Sequence, residues 1–252
     1  MRLELQLECN PKSVLPFNYE YALSAWIYQI LSDADSDFAT FLHDTGYQST
    51  QHDKTFKLFT FSKILLEKPF QTDKYRGFIL NAGRARLELS FFIDKAMQEF
   101  VVGLFKSQQL SIRIKGGRID FKVIGIQVLP EPEFHPIMTF KAIKPIFMSK
   151  NVERIKHPVY ISPDDDDYSR LFFNNLLDKA EALGMPSIES VLEFRCLTPP
   201  RSKLFHIDGT QIRAFEYEFI IAAPVELMRI GYYSGFGGKN SSLGLGFCVR
   251  KR

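Results

Sequence analysis

The chain has 252 residues, 45% of them hydrophobic and 24% charged, with a formal net charge of +3. Those proportions exclude a disordered or low-complexity polypeptide and suit two globular domains of roughly 100–130 residues each. The weak positive balance does not by itself identify a nucleic-acid binder, so the placement of the cations decides. Cys9, Cys196 and Cys248 lie far apart in apolar or strand-like surroundings, which gives no zinc spacing and reads as free thiols in a reducing, cytoplasmic compartment. No apolar run approaches the roughly 20 residues needed to cross a bilayer. The opening MRLELQLE alternates like a strand and lacks the apolar core of a signal peptide.

In chain order, the strand RLELQLE is followed by a turn, NPKSVLPFN, whose Asn18 is placed to cap a helix from about Tyr19 to Leu31. Leu23, Ile27, Ile30 and Leu31 form its apolar stripe. A second short helix is expected from about Asp35 to His43, then strands at FKLFTFSKILL, GFILNAG and ARLELSFF. The helix DKAMQEFVVGLFKS and a hairpin turning at Gly116-Gly117 complete a β-α-β-β-α-β order. The segment PEPEFHP, residues 130–136, reads as a linker. Beyond it the pattern recurs: MTFKAI, the helix SPDDDDYSRLFFNNLLDKAEALG, strands at SVLEFRCLT and KLFHIDG, one long strand TQIRAFEYEFIIAA, the helix PVELMRIGYYSG and a last strand. The expected fold is therefore α+β: two tandem ferredoxin-like (βαββαβ, RRM-like) domains, over residues 1–129 and 137–252. Asp164 to Asp167 are expected at the first helical turn, where the dipole favours carboxylates, in preference to a metal site.

The C-terminal YYSGFGGKNSSLGLGFCVRKR carries glycines at 235, 237, 238, 244 and 246. A dinucleotide fingerprint fails because Asn240 stands where its third glycine belongs, and a Walker loop fails at Tyr233 and again at Asn240. Two readings stay open. One is a nest of backbone N–H groups for a polyanion, built from Gly235, Gly237, Gly238, Lys239, Asn240, Ser241, Gly244 and Gly246. The other is a glycine-rich hairpin needed only for close packing of the final strand. After Glu226 the chain has no acidic residue but holds Arg229, Lys239, Arg250, Lys251 and Arg252.

Two ferredoxin-like units ending in GFGGKNSSLGLG resemble the repeat-associated RNA-binding proteins of CRISPR systems. LPFNYEYALSAWIYQIL, followed by FATFLHDTGY and KLFTFS, is similar to the CRISPR-associated endoribonucleases of Cas family six, over essentially the whole chain. The resemblance implies cleavage of repeat RNA with neither metal nor cofactor, leaving a 2′,3′-cyclic phosphate and a 5′-hydroxyl. It places the catalytic histidine at His43, a tyrosine at Tyr28 and a lysine at Lys57, with Lys54 and His52 nearby as competitors. It makes the glycine loop part of the RNA surface of the second domain. The implied partner is CRISPR repeat RNA, with effector-complex subunits and a homodimer left open and no membrane association.

Without the resemblance, Tyr28 reads as a half-buried packing residue, His43 as a cation at a helix C-terminus and Lys57 as an exposed strand lysine. Histidine is nevertheless the side chain best suited to moving protons near neutrality. His135 and His157 read as loop residues and His206 as a strand-surface residue. Arg201 and Lys203, two cations in an expected hairpin, are candidates for phosphate contacts. A non-catalytic RNA-coating subunit, or a small-molecule enzyme on a duplicated ferredoxin-like scaffold, are the rival readings.

Overall fold

The alternation in the first strand, β1 (Arg2–Glu8), buries Leu3, Leu5 and Leu7 while Gln6 and Glu8 stay in solvent, as the pleat requires. The computed structural model describes residues 1–50, 53–114, 117–153, 157–207, 210–238 and 240–251, with backbone alone at 206, 207 and 210. It divides into two compact units, Met1–Asp44 with Phe61–Glu131, and Thr45–Thr60 with Pro132–Arg252.

In the first unit β1 is followed by α1 (Glu20–Ala34) and the short helix α2 (Ser36–Thr40), which runs into one π-type turn at Phe41–Thr45. Then come β2 (Phe59–Phe61), whose last residue belongs to this unit, β3 (Arg84–Phe91), α3 (Asp94–Lys106) and the hairpin β4 (Gln109–Ile114) and β5 (Gly117–Val128). The sheet order is β4-β5-β1-β3-β2. Without the outer β4 this is the 4-1-3-2 order of a ferredoxin-like unit, as the element order implied. Leu23, Trp26, Ile27, Ile30 and Leu31 of α1 are buried, and α3 approaches closely because Gly103 has no Cβ: one built there would lie 1.9 Å from the Ile30 carbonyl oxygen. Asn18 is not the cap of α1. It has a positive φ of 57°, Tyr19 takes the capping position without a side-chain hydrogen bond, and the helix runs on to Ala34. The real side-chain cap is one helix later, where Asp35 accepts from the Phe38 amide at 2.9 Å. That amide, with Lys95 3.0 Å away, holds the Asp35 carboxyl below its ordinary range. Gly116 of the expected β4–β5 turn lies outside the described residues; Ile114 and Gly117 pair across it.

The second unit repeats the order with β6 (Ile137–Ala142), α4 (Tyr168–Ala182) and β7 (Glu193–Cys196). It adds the hairpin β8 (Arg201–Ile207) and β9 (Thr210–Glu216), then β10 (Glu218–Ala222), α5 (Val225–Ser234) and β11 (Cys248–Arg250). The sheet runs β7-β10-β6-β11, again 4-1-3-2. The single long strand expected at TQIRAFEYEFIIAA is two. It breaks at Tyr217, which is buried with its hydroxyl on that of Tyr168, so β9 leaves the main sheet and pairs with β8 instead.

The aspartates at 164–167 lie in the turn before α4, and its first turn holds no acidic residue. Lys150 bridges Asp165 at 2.8 Å and Asp167 at 3.0 Å, and Arg170 adds a second partner to Asp167. Ion pairing therefore accounts for Asp165 and Asp167, where the sequence suggested the helix dipole for the whole run. Among the described residues no group of three or more His, Cys, Asp and Glu side chains is placed to hold a metal ion, and no helix is long and apolar enough to cross a membrane.

Thr45–Thr60 packs on α4 although it precedes it by more than a hundred residues. Its hairpin, Tyr47–Ser49 with Lys54–Phe56, is tied down by two carboxylates. Glu181 accepts from Ser49 Oγ and, at 2.6 Å, from Thr50 Oγ1, while buried Asp178 pairs with Lys54 at 2.5 Å.

Candidate active site

One exposed edge of the first unit brings two predicted residues together. Tyr28 projects from α1, on the turn between buried Ile27 and Ile30, and is half-buried. His43 sits in the π-type turn after α2, where the extra backbone residue turns it away from buried Leu42 and leaves its side chain 67% exposed. The two rings meet edge to face, with centroids 5.0 Å apart and planes at 81°. They line a hollow of about 420 Å³ with Tyr21, Ser24, Gln29 and Thr40.

A residue not singled out in the sequence completes the pair. Asp44 places Oδ1 2.7 Å from His43 Nδ1. An ionised carboxylate only accepts hydrogen bonds, so Nδ1 carries the proton and Nε2 of the neutral ring is left as the acceptor. The orientation is that of a histidine made ready to exchange a proton at Nε2. The adjacent position in HDT was the only available signal, and an acid beside a histidine is too common to point to it.

Lys57 belongs to the second unit and is not the exposed strand lysine expected from its sequence. It is half-buried in the break between Lys54–Phe56 and β2, next to Leu58, which has a φ of 55°. Lys54, its competitor, is committed to buried Asp178. His52 lies outside the described residues.

The glycine loop is largely a packed element. Gly235, Gly237, Gly244 and Gly246 all have positive φ, between 76° and 102°. A Cβ on Gly246 would stand 1.8 Å from the Phe236 carbonyl oxygen, and one on Gly237 2.8 Å from that of Phe147. Phe236 itself is buried, stacked on Phe172 with centroids 5.7 Å apart. Three of the backbone donors expected to form a polyanion nest are used within the protein, Gly238 N–H donating to Phe147, Gly244 to Ser241 and Gly246 to Pro145, and the intervening Phe236 N–H donates to Gly246. Gly238, Asn240 and Ser241 remain partly exposed, and Lys239 lies outside the described residues.

Two side chains of α4 hold this loop from inside. Lys179 is fully buried, donates to the Gly235 carbonyl at 2.6 Å and faces the Phe56 ring; burial pushes its amine down to about 7. Asn175 donates to the Gly238 carbonyl at 3.1 Å. Arg201 and Lys203 are exposed on β8, two residues apart and so on one face of the hairpin, with Arg201 opposite Glu216 on β9. The side chain of His206 lies outside the described residues.

Two units with the same 4-1-3-2 sheet order, joined in one chain, are matched by two family models in tandem. The Cas6 N-terminal domain family matches residues 14–127 and the Cas6 C-terminal domain family residues 129–249. The chain belongs to the Cas6 family. It is 29% identical over 251 residues to CRISPR-associated endoribonuclease Cas6 1 of Methanocaldococcus jannaschii, covering 99% of this chain and 92% of that one. Over 234 residues it is 27% identical to CRISPR-associated endoribonuclease Cas6 of Pyrococcus furiosus, covering 92% and 82%. A solved structure described as CRISPR-associated protein Cas6 superimposes with a TM-score of 0.80 at 29% identity, covering 100% of this chain and 99% of that one. Another, described as a RAMP protein binding different RNA substrates, shares the fold with a TM-score of 0.83 at 21% identity and full coverage of both chains.

Proposed function

We propose that this Cas6 protein cleaves CRISPR repeat RNA by attack of the 2′-hydroxyl on the neighbouring phosphate, with His43 and Tyr28 at the reacting atoms. The observation that carries this reading is the pairing of the two rings in one hollow, with His43 Nδ1 bonded to Asp44. The attacking hydroxyl must lose a proton, the departing 5′-oxygen must gain one, and the doubly charged phosphorane needs a cation. His43 exchanges a proton through Nε2. Tyr28 positions the ribose or exchanges the other proton. Lys57 supplies the positive charge.

The products are a 2′,3′-cyclic phosphate and a 5′-hydroxyl, and DNA is refused because it lacks the nucleophile. Partly exposed Gly238, Asn240 and Ser241, with Lys239, and the cations Arg201 and Lys203 make RNA-backbone contacts that weaken with salt. Gly235, Gly237, Gly244 and Gly246 serve the same surface by holding Gly238, Asn240 and Ser241 in place. Repeat transcripts and three free thiols fit a cytoplasmic protein.

The test is single-turnover cleavage of the repeat RNA in EDTA by wild type and His43→Ala. Cutting by wild type that His43→Ala abolishes while still binding RNA supports the reading. Tight binding without cutting by wild type would replace it with that of a non-catalytic RNA-binding subunit.

A further inference from the structure

The exposed ridge of α1 is Tyr21, Ala25 and Gln29, each four residues from the next, and these three side chains line two hollows, one on either flank. The first is the His43–Tyr28 hollow. The second, about 630 Å³, lies towards β4 and is also lined by Ser111 and Arg113. Its floor is fixed, since buried Trp26 donates from Nε1 to the Gln109 carbonyl at 2.8 Å and so ties α1 to the strand.

Three features define what fits there. Tyr21 is 65% exposed, an aromatic face left in solvent at the edge of a groove. Arg113 is exposed and stands directly opposite Arg118 on β5, and the two guanidinium groups share one carboxylate: Asp120, 2.8 Å from Arg118, also feels the charge of Arg113. Like charges opposed across a ladder cost stability unless anions offset them, and one carboxylate between two guanidinium groups leaves the pair net positive. Ala25, the smallest member of the ridge, stands between Tyr21 and Gln29 and lines both hollows. An exposed ring, two guanidinium groups with one carboxylate between them and a ridge shared with the reacting centre together describe a seat for single-stranded RNA: one base on the ring and one phosphate at the Arg113 guanidinium.

Resting on the reading of the first hollow as the cleavage site, we propose that the second hollow is a subsite for a nucleotide flanking the scissile phosphate. Its base stacks on Tyr21, its phosphate meets Arg113 and the chain crosses the α1 ridge at Ala25. The subsite extends the recognised RNA to unpaired nucleotides beside the cut.

The experiment is a binding cycle on repeat RNA carrying a single abasic ribonucleotide, scanned one position at a time, against wild type and Tyr21→Ala. Tyr21→Ala is expected to weaken binding of intact RNA about 5- to 100-fold. One abasic position should cost wild type a similar factor and cost Tyr21→Ala nothing further. Tyr21→Phe should restore affinity, and Arg113→Ala should lower the salt slope of binding by about one. Ala25→Gln, which raises the ridge between the hollows from an exposed position, should reproduce the loss if Tyr21→Ala fails to fold. Full affinity in Tyr21→Ala, Arg113→Ala and Ala25→Gln, or losses that multiply with every abasic position, would overturn the subsite. Wild type that cuts normally while these variants bind like wild type removes the subsite alone. Failure of wild type to cut removes the reading of the first hollow, and the binding cycle still decides whether RNA lies in the second.

Discussion

The His43 turn and the glycine loop are both short irregular segments beside a helix, yet they are held in opposite ways. His43 sits in a π-type turn beside the Asp44 carboxylate and edge-on to Tyr28, with most of its side chain in solvent. The glycine loop is locked by buried Phe236, two α4 side chains and main-chain bonds to Pro145 and Phe147. An exposed side chain contributes little to the fold, so replacing it costs little stability. A loop that sets the height of a surface must be over-determined. Substitutions should therefore separate the two regions: chemistry without stability in the first, stability first in the second.

The largest expected effect is His43→Ala, which should lower the single-turnover rate by at least about 100-fold. RNA affinity should stay within about twofold and the melting temperature unchanged, since an exposed side chain is removed. A large fall in Tm would break the contrast. Next comes Gly246→Ala, whose Cβ would collide with the Phe236 carbonyl at a φ of 76°. Backbone strain and overpacking together should cost about 2–4 kcal/mol in chemical denaturation. Gly184→Ala is the control, because Gly184 has a similar φ of 70° with nothing within 4 Å of a Cβ. It should cost only about 1–2 kcal/mol, the conformational penalty alone. Equal losses at the two sites would show that the loop is not held by packing.

The order of elements was legible because alternation and helical periodicity are local, and β1 or α3 needs no distant partner to be recognised. His43 was singled out through a family motif, and the residues alone would have made it an ordinary helix-end cation. What the sequence left open is long-range. Whether the glycines face RNA or packing depends on Phe147 and Pro145, about a hundred residues earlier in the chain. Lys54 reads as a free cation until Asp178 is found beneath it. Tyr217 looks like the middle of a strand until Tyr168 pins its hydroxyl and splits that strand in two. Lys179 looks like any surface lysine of an amphipathic helix, and only the loop laid over it shows it to be buried.

That lysine gives a third, smaller test. Its amine titrates near pH 7 in the folded protein and near 10.5 when unfolded, so between these values the unfolded chain binds a proton that the folded chain lacks. Stability from this group therefore rises with pH across the window and is at its lowest below pH 7. Buried Cys9 and half-buried Cys196 act in the opposite sense, as desolvation raises their thiols, but they are common to wild type and variant and cancel. The stability of wild type relative to Lys179→Met should grow by about 1 kcal/mol per pH unit from pH 7 to pH 9. A pH-independent difference would mean that the amine stays charged beneath the loop.

The smallest expected effect tests how lightly His43 is held. Asp44 is itself 66% exposed, so its bond to Nδ1 competes with water and adds little to the fold. Its contribution is to orientation: with Asp44→Ala the ring can turn and the neutral imidazole can place its proton on either nitrogen. Only one of the two tautomers leaves Nε2 able to accept. The single-turnover rate should fall about three- to tenfold, with Tm and RNA affinity unchanged, and Asp44→Asn should recover part of the loss only if its amide oxygen still accepts from Nδ1. A loss as large as that of His43→Ala would mean that the carboxylate meets the RNA or moves a proton itself, and the lightly held histidine would have to be redrawn as a two-residue catalytic unit.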